Sequence, residues 1–155
     1  MNTAPSYRRV ITGLDEGGRS AVIIDAPVSS TTSMSGRTRV IWRTDSVPAD
    51  NSGRDDIEPG HINVNRMGDG GTLFMIHSFP PDREGEPFWH TTDTIDYITM
   101  LEGEVVFMTE TGEVTLRAGD VMVDRGINHA WRNDTDKEAT AAIVILPAHP
   151  LRAGK

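Results

Sequence analysis

The sequence contains no cysteine among its 155 residues. A disulfide framework and a cysteine-ligated zinc site are therefore both excluded. No run approaches the roughly 18 to 20 apolar residues that a membrane-spanning helix requires, and residues 1–20 contain no apolar stretch that could form the core of a signal peptide. We therefore expect a soluble, cytoplasmic protein with no membrane partner.

Basic residues are few relative to acidic ones, with 15 Lys and Arg against 23 Asp and Glu and a formal charge of −8. Because nucleic-acid binding depends on clustered cations, nucleic acid is not an expected partner. Long helix-forming windows are also missing, whereas 15 Gly, 9 Pro and many Thr and Val are typical of short strands separated by turns. The composition predicts an all-β protein, and the length fits one domain over residues 1–155.

Short β-rich runs separated by turn residues cover most of the chain. Arg8 to Thr12 and Ser20 to Ile24 flank a turn at residues 15–18 and predict a hairpin, and Thr38 to Arg43 predicts a third strand. Residues 44–71 are polar and irregular, which predicts a long loop that is either a lid or a wrap around the barrel. From residue 72 to residue 147, further strands are predicted at the spacing of a barrel or sandwich, over Thr72 to Phe79, Thr94 to Leu101, Glu104 to Glu110, Glu113 to Arg117, Asp120 to Asp124 and Ala139 to Leu146.

The segment WHTTDTIDYITMLEG places His90, Thr92 and Asp96 at even positions. If the chain is extended there, these three side chains share one face, which continues through Ile98 and Met100. A histidine and a carboxylate that converge beside apolar side chains suit a divalent transition metal, since both groups are ligands for Fe, Mn, Ni or Zn.

A second histidine is available in GDVMVDRGINHAWRN, where a tight turn at Arg125 and Gly126 would return the chain to the barrel. His90, Asp96 and His129 would then form a set of two histidines and one carboxylate, with positions open for substrate or oxygen. The alternative is that both histidines are hydrogen-bonded to neighbours in the barrel wall. Trp131 shares the parity of His129, and aromatic side chains commonly line ligand pockets.

The remaining histidines are harder to place. His77 lies in TLFMIHSF, where both faces are apolar, so the period alone leaves open whether it points into the pocket. His61 in the long loop and His149 near the end of the chain are expected to be solvated. Arg125 has two interpretations, an ion pair with an anionic substrate or with a surface acid, and the surface acid is preferred.

Two segments resemble the paired motifs of the cupin superfamily. The first family motif reads His, any residue, His, three or four residues, Glu, six residues, Gly; here Thr replaces the second His and Asp replaces Glu. The second family motif is matched without its proline and with one residue fewer between its two glycines. The matching positions are His90, Thr92, Asp96 and Gly103 in the first motif, and Gly119, Gly126, His129 and Asn133 in the second.

The resemblance implies a double-stranded β-helix, or jelly-roll barrel, with its motifs at about 72–147 and with N-terminal strands, from residues 1–71, packed on one sheet. A little-characterised subgroup of bacterial and fungal cupins is similar in the pattern WRTDS…ADNSG…WHTTDTIDY…LEGEV…RGINHAWRN, and some of its fungal members lie in polyketide pathways. The resemblance to cupins further implies a homodimer, a small-molecule substrate and a divalent metal. The departures at Thr92 and Asp96 imply weaker metal binding, because a hydroxyl is a poor ligand and Asp is shorter than Glu.

The leading hypothesis is a metal-assisted lyase, a decarboxylase or dehydratase, that acts on an oxygenated organic acid or a polyketide-like molecule. In this hypothesis Asp96 binds the metal or moves a proton, and Thr92 orients water or substrate. Trp131, His77 and Met100 are the predicted substrate contacts. The alternatives are an Fe(II)-dependent dioxygenase and a non-catalytic module that binds a small ligand.

Overall fold

A computed structural model describes residues 7–28, 38–53, 55–56 and 70–151. The described residues form β-strands and no helix, so none of them belongs to a helix that could cross a membrane. The strands are β1 (Arg8–Leu14), β2 (Ser20–Pro27), β3 (Thr38–Arg43), β4 (Leu73–Phe79), β5 (Thr94–Glu102), β6 (Glu104–Thr109), β7 (Gly112–Arg117), β8 (Val121–Asp124), β9 (His129–Arg132) and β10 (Ala139–Pro147). Each predicted strand corresponds to one of these, and the all-β prediction is confirmed.

Strands β1 and β2 form the predicted hairpin, as a two-stranded antiparallel sheet of their own. The Tyr7 hydroxyl donates a hydrogen bond to Thr140 Oγ1 at 3.3 Å. Arg9 Nη1 donates to the carbonyl oxygen of Ile41 at 3.2 Å. Because Thr140 and Ile41 belong to the main sheet, the hairpin packs on one sheet of the barrel, as predicted.

Two antiparallel sheets make up the barrel, with strand orders β3-β4-β10-β5-β8 and β7-β6-β9. The apolar core lies between them and receives side chains from both, among them Met75, Ile98, Met100, Phe107 and Ile143. The jelly-roll prediction is confirmed by this arrangement. Strand β8 is an outer strand of the five-stranded sheet. The predicted homodimer stays a prediction.

One row of cross-strand neighbours runs through all five strands of the larger sheet. Arg43 lies opposite Leu73, Leu73 opposite Ile145, Ile145 opposite Asp96, and Asp96 opposite Asp124. Cross-strand partners share a face of the sheet, and Leu73 and Ile145 are buried in the core, so the whole row faces the barrel interior. The row brings two carboxyl groups and one guanidinium to the same end of the barrel.

The turn between β8 and β9 packs tightly against the chain that enters β5. Gly126 has a φ of 76°, which favours glycine. A Cβ at this position would lie 2.3 Å from the carbonyl oxygen of Thr92. Glycine is therefore required here for two separate reasons.

The predicted long loop over residues 44–71 is only partly described. Residues 44–53 and 70–72 contain no strand. Most of the rest of this segment, including His61, lies outside the described residues, so the choice between a lid and a wrap stays a prediction.

Candidate active site

His129 begins β9 and points into the barrel, where only 3% of its surface is exposed. Its Nδ1 lies 2.8 Å from the carbonyl oxygen of Ile127. Since a carbonyl oxygen only accepts hydrogen bonds, Nδ1 carries the proton in the neutral ring and Nε2 carries the lone pair. The carbonyl oxygen of Ile127 thus favours the Nδ1–H tautomer of His129.

His90 is half-buried beside His129, and the two ring centroids lie 4.2 Å apart. The backbone N–H of each histidine donates to the carbonyl oxygen of the other, both at 3.0 Å. His90 Nδ1 lies 3.2 Å from the carbonyl oxygen of Phe88, so Nε2 carries the lone pair here as well. Burial, followed by the electrostatic effect of His129, lowers the pKa of His90, which favours the neutral ring.

Asp96 occupies the same end of the barrel. The Thr94 hydroxyl is hydrogen-bonded to Asp96 Oδ1 at 2.7 Å and to Thr92 Oγ1 at 2.8 Å. Burial, with a smaller contribution from the nearby Asp124, raises the pKa of Asp96 to about 6, and the Thr94 hydrogen bond opposes this increase. A carboxyl group with this pKa can both take and give a proton near neutral pH.

Asp124 is a site residue that the sequence reasoning missed. It is 3% exposed, and its Oδ1 accepts hydrogen bonds from the backbone N–H groups of Gly126 at 3.0 Å and Ile127 at 3.3 Å. Its Oδ2 is buried without a hydrogen bond. This oxygen lies 3.1 Å from His129 Nδ1, but the ring proton is directed to Ile127, so we treat the contact as electrostatic.

Aromatic rings form a continuous wall behind the two histidines. Phe107 stacks on His129 with centroids 5.1 Å apart and meets Trp131 at 4.8 Å. Phe79 lies 4.9 Å from Trp131 and 4.7 Å from His77. The structure therefore brings Trp131 and His77 to the barrel interior, which is where their predicted role as substrate contacts requires them to be.

The other sequence candidates lie at various depths. Met100 is 2% exposed and forms part of the hydrophobic core, deeper in the barrel than Asp96. Thr92 is partly buried and reaches Asp96 only through Thr94. Arg125 and His149 are exposed, which agrees with the solvated His149 that was expected. The surface acid that pairs with Arg125 stays a prediction.

Comparison with known proteins identifies the family of this barrel. A family model described as a cupin domain matches residues 75–146. Phomopsin biosynthesis cluster protein C' of Diaporthe leptostromiformis is 32% identical over 156 residues, covering 92% of this chain and 79% of that protein. The chain belongs to the cupin family.

Two further relatives differ in how much of their length is matched. Cupin-domain-containing oxidoreductase srdB of Neurospora crassa is 30% identical over 96% of this chain and 79% of that protein. Oryzines biosynthesis cluster protein J of Aspergillus oryzae is 44% identical over 68 residues. That match covers 43% of this chain and spans only 38% of the relative.

Cupins commonly bind a metal ion, so the site residues can be tested as a ligand set. His90 and His129 fit two positions, since both rings hold their Nδ1 protons on backbone carbonyls and keep Nε2 available. Among the described residues, however, no group of three His, Asp or Glu side chains is arranged to hold a metal. The two imidazoles therefore fit as ligands, and Asp96 as a third ligand stays a prediction.

We expect Asp124→Asn to lower turnover about 10- to 100-fold by changing the tautomer of His129. The Asn Oδ1 can still accept from Gly126 and Ile127, so the turn is kept. The amide NH2 would, however, face the Nδ1 proton of His129 and favour protonation at Nε2 instead. Nitrogen-15 NMR of the His129 ring distinguishes the two tautomers.

The matched control for this variant is Asp120→Asn. Asp120 is exposed and accepts from the backbone N–H of Arg117 at 2.8 Å, so it also holds a turn but lies away from His129. Unchanged turnover and an unchanged tautomer in Asp124→Asn would show that Asp124 does not position His129.

Proposed function

We propose that this cupin is a small-molecule lyase, a decarboxylase or dehydratase acting on an oxygenated organic acid or a polyketide-like molecule. One observation carries the proposal: Asp96, partly buried and held by Thr94, shares one end of the barrel with two imidazoles whose Nε2 lone pairs are available. This end combines a proton-transfer group with two hydrogen-bond acceptors that can orient substrate hydroxyls.

For a dehydration, Asp96 accounts for both proton transfers. Its carboxylate takes the proton from the carbon next to the substrate carbonyl, and the electron pair of that C–H bond forms the new C=C bond. The C–O bond on the neighbouring carbon breaks, and protonated Asp96 gives its proton to the departing hydroxyl, which leaves as water. A pKa of about 6 suits both halves of this cycle.

The residues around Asp96 hold and orient the substrate in this proposal. His90 Nε2 and His129 Nε2 accept hydrogen bonds from substrate hydroxyls, while Trp131 and Phe107 exclude water from one side. Thr94 fixes the carboxyl group of Asp96 in one direction. Pre-positioning of this kind supplies a large part of enzymatic rate enhancement.

A second candidate is a metal-dependent oxidoreductase, including the Fe(II)-dependent dioxygenase. The available Nε2 atoms of His90 and His129 favour this candidate, because they can serve as a pair of ligands for Fe, Mn, Ni or Zn. Two relatives that are named cupin-domain-containing oxidoreductases also support it. The third candidate, a non-catalytic ligand-binding module, uses the same side chains but predicts no turnover.

Metal removal separates the first two candidates. We expect the lyase to keep its turnover after treatment with EDTA, because the proton transfers are assigned to Asp96. The measurement is loss of substrate by mass spectrometry for a panel of hydroxy and keto acids, with parallel elemental analysis and oxygen-electrode recordings. Turnover lost with EDTA, restored by one metal and accompanied by oxygen uptake would establish the oxidoreductase instead.

The matched control is the double variant His90→Ala, His129→Ala, analysed for metal content. A metal that is present in the wild-type protein and absent from this variant is held by the two imidazoles. Absence of turnover with every acid in the panel, with or without metal, would favour the ligand-binding module.

A further inference from the structure

Arg43 faces the barrel interior because of a β-bulge in β3. Val40 lies opposite Met75, and the register then shifts so that Trp42 lies opposite Phe74 and Arg43 opposite Leu73. Strict alternation from the inward-facing Val40 would have turned Arg43 outward. The extra residue reverses this, since a bulge changes the face on which the following side chains lie.

The guanidinium of Arg43 has no partner among the described residues. It makes no hydrogen bond and no ion pair with them, and its buried Nε has no acceptor. By contrast, the guanidinium of Arg132 is held by Asp134 and Glu113. An arginine is always charged and presents five N–H donors, so a partly buried one with no acceptor indicates a place for an anion.

The position of Arg43 relative to Asp96 sets the size and direction of such a ligand. The two residues stand in the same inward-facing row, three strands apart, which corresponds to about 14 Å along the sheet. The side chains of Leu73 and Ile145 lie between them and give the row an apolar floor. This span suits a small molecule with a charged group at one end.

The charges at the two ends of the row are opposite. Asp96 and Asp124 make the β5–β8 end acidic, whereas Arg43 is the cation at the β3 end. An anionic group would therefore be repelled by the carboxyl groups and attracted to Arg43. The planar fork of arginine matches a carboxylate in a bidentate geometry.

We propose that Arg43 binds the carboxylate of the substrate, so that a small hydroxy or keto acid enters with its carboxylate at β3 and its reacting carbon near Asp96. The assignment of the reacting end rests on the dehydratase form of the proposed lyase function, because a decarboxylase breaks the bond to the carboxylate itself. The assignment of the anion site rests only on Arg43 and its surroundings, so the two can fail separately.

The experiment measures binding by NMR, with β-hydroxybutyrate and acetate as probes and their uncharged amides as matched compounds. We expect the Nε–H resonance of Arg43 to move saturably with each carboxylate. The wild-type protein should bind β-hydroxybutyrate at least tenfold more tightly than the amide. Arg43→Met should remove this preference, and Arg43→Lys should retain part of it because the charge is kept without the fork.

Arg39→Met is the matched control, since Arg39 lies on the same strand over the ring of Tyr7. It should keep the preference for the carboxylate, and circular dichroism checks that each variant remains folded. A wild-type protein that does not distinguish acid from amide, or an Arg43→Met variant that still does, would overturn the proposal. Inorganic phosphate that binds at Arg43 more tightly than both carboxylates would also contradict it.

Asp96→Asn keeps the two proposals distinguishable. If this variant and the wild type both prefer the carboxylate while neither shows turnover, Arg43 is an anion site and the lyase function fails. If turnover is observed and Arg43→Met alters neither KM nor the preference for acids, the lyase function stands and the anion site fails.

Discussion

Asp96→Asn should lower turnover by about 10²- to 10⁴-fold, which is the contribution expected of a general acid–base group. The amide has nearly the same shape and can still accept from Thr94, but it cannot take or give a proton. In the wild-type protein, the rate should rise with pH around the Asp96 pKa of about 6, as the carboxylate becomes available to act as a base. Stopped assays across pH 5 to 8 measure both effects, and the variant should lose this pH dependence.

The same substitution should stabilise the barrel at high pH. Burial raises the pKa of Asp96 from 3.8 to about 6, so the folded protein favours the protonated form. The resulting stabilisation is fully present below pH 3.8 and is lost as the pH rises through 6. Asp96→Asn removes this loss and should be more stable than the wild type by about 2 kcal/mol at pH 8, with no such difference at pH 3.5.

Asp93→Asn is the control, because Asp93 is exposed and lies just before β5. It should change neither the rate nor the pH dependence of stability. An Asp96→Asn variant with wild-type turnover would remove Asp96 from the mechanism. Equal stability of variant and wild type at pH 8 would show that its carboxylate is not costly to bury.

The second large effect is expected from Gly126→Ala, which should destabilise the barrel by roughly 2–6 kcal/mol. The new Cβ would meet the Thr92 carbonyl oxygen at 2.3 Å, and the φ of 76° is unfavourable for alanine. Because domains are typically stable by only about 5–15 kcal/mol, a loss of this size is a large fraction of the total. Urea unfolding followed by tryptophan fluorescence measures it.

Gly119→Ala separates the two causes. Gly119 has a φ of 93°, but a Cβ there would meet no heavy atom within 4 Å. This variant therefore reports the backbone strain alone, which we expect to cost about 1–2 kcal/mol. If the two variants lost the same free energy of unfolding, the contact between the turn and Thr92 would not contribute to the stability of the barrel.

The face of β5 could be predicted from the sequence because alternation continues from Thr94 to Met100, and the register shifts only beyond Met100. Thr94, Ile98 and Met100 are all buried, whereas Tyr97 is 48% exposed, so period-2 reasoning assigned Asp96 to the interior correctly. The same reasoning placed Trp131 beside His129. In both strands the side chains obey simple alternation, with no bulge before the site.

Asp124 and Arg43 could not be found in this way, for two different physical reasons. In VMVD the apolar residues Val121 and Val123 are 75% and 55% exposed, so polarity points to the wrong face of β8. In β3 the bulge reverses alternation just before Arg43. A bulge depends on pairing with a distant strand, and a single sequence does not show it.

The tautomers of the two histidines also lay beyond the sequence. Each is set by a backbone carbonyl two residues earlier in the chain, Phe88 for His90 and Ile127 for His129. The local path that brings a carbonyl to Nδ1 is a property of the folded chain. The motif spacing predicted which residues meet, and the three-dimensional structure determined which nitrogen of each ring is available.

The bulge at Ile41 determines which side chain of the edge strand β3 faces the barrel interior. If β3 paired with β4 without the bulge and at the same chain length, Trp42 instead of Arg43 would lie opposite Leu73, and an indole would replace the cation in the barrel interior. Strand β3 is an edge strand with only one neighbour to re-pair with, so this change disturbs fewer hydrogen bonds than the same change in a central strand. Within a lineage, substitutions that favour or remove this bulge would be a short evolutionary route between a barrel that admits acids and one that admits uncharged molecules.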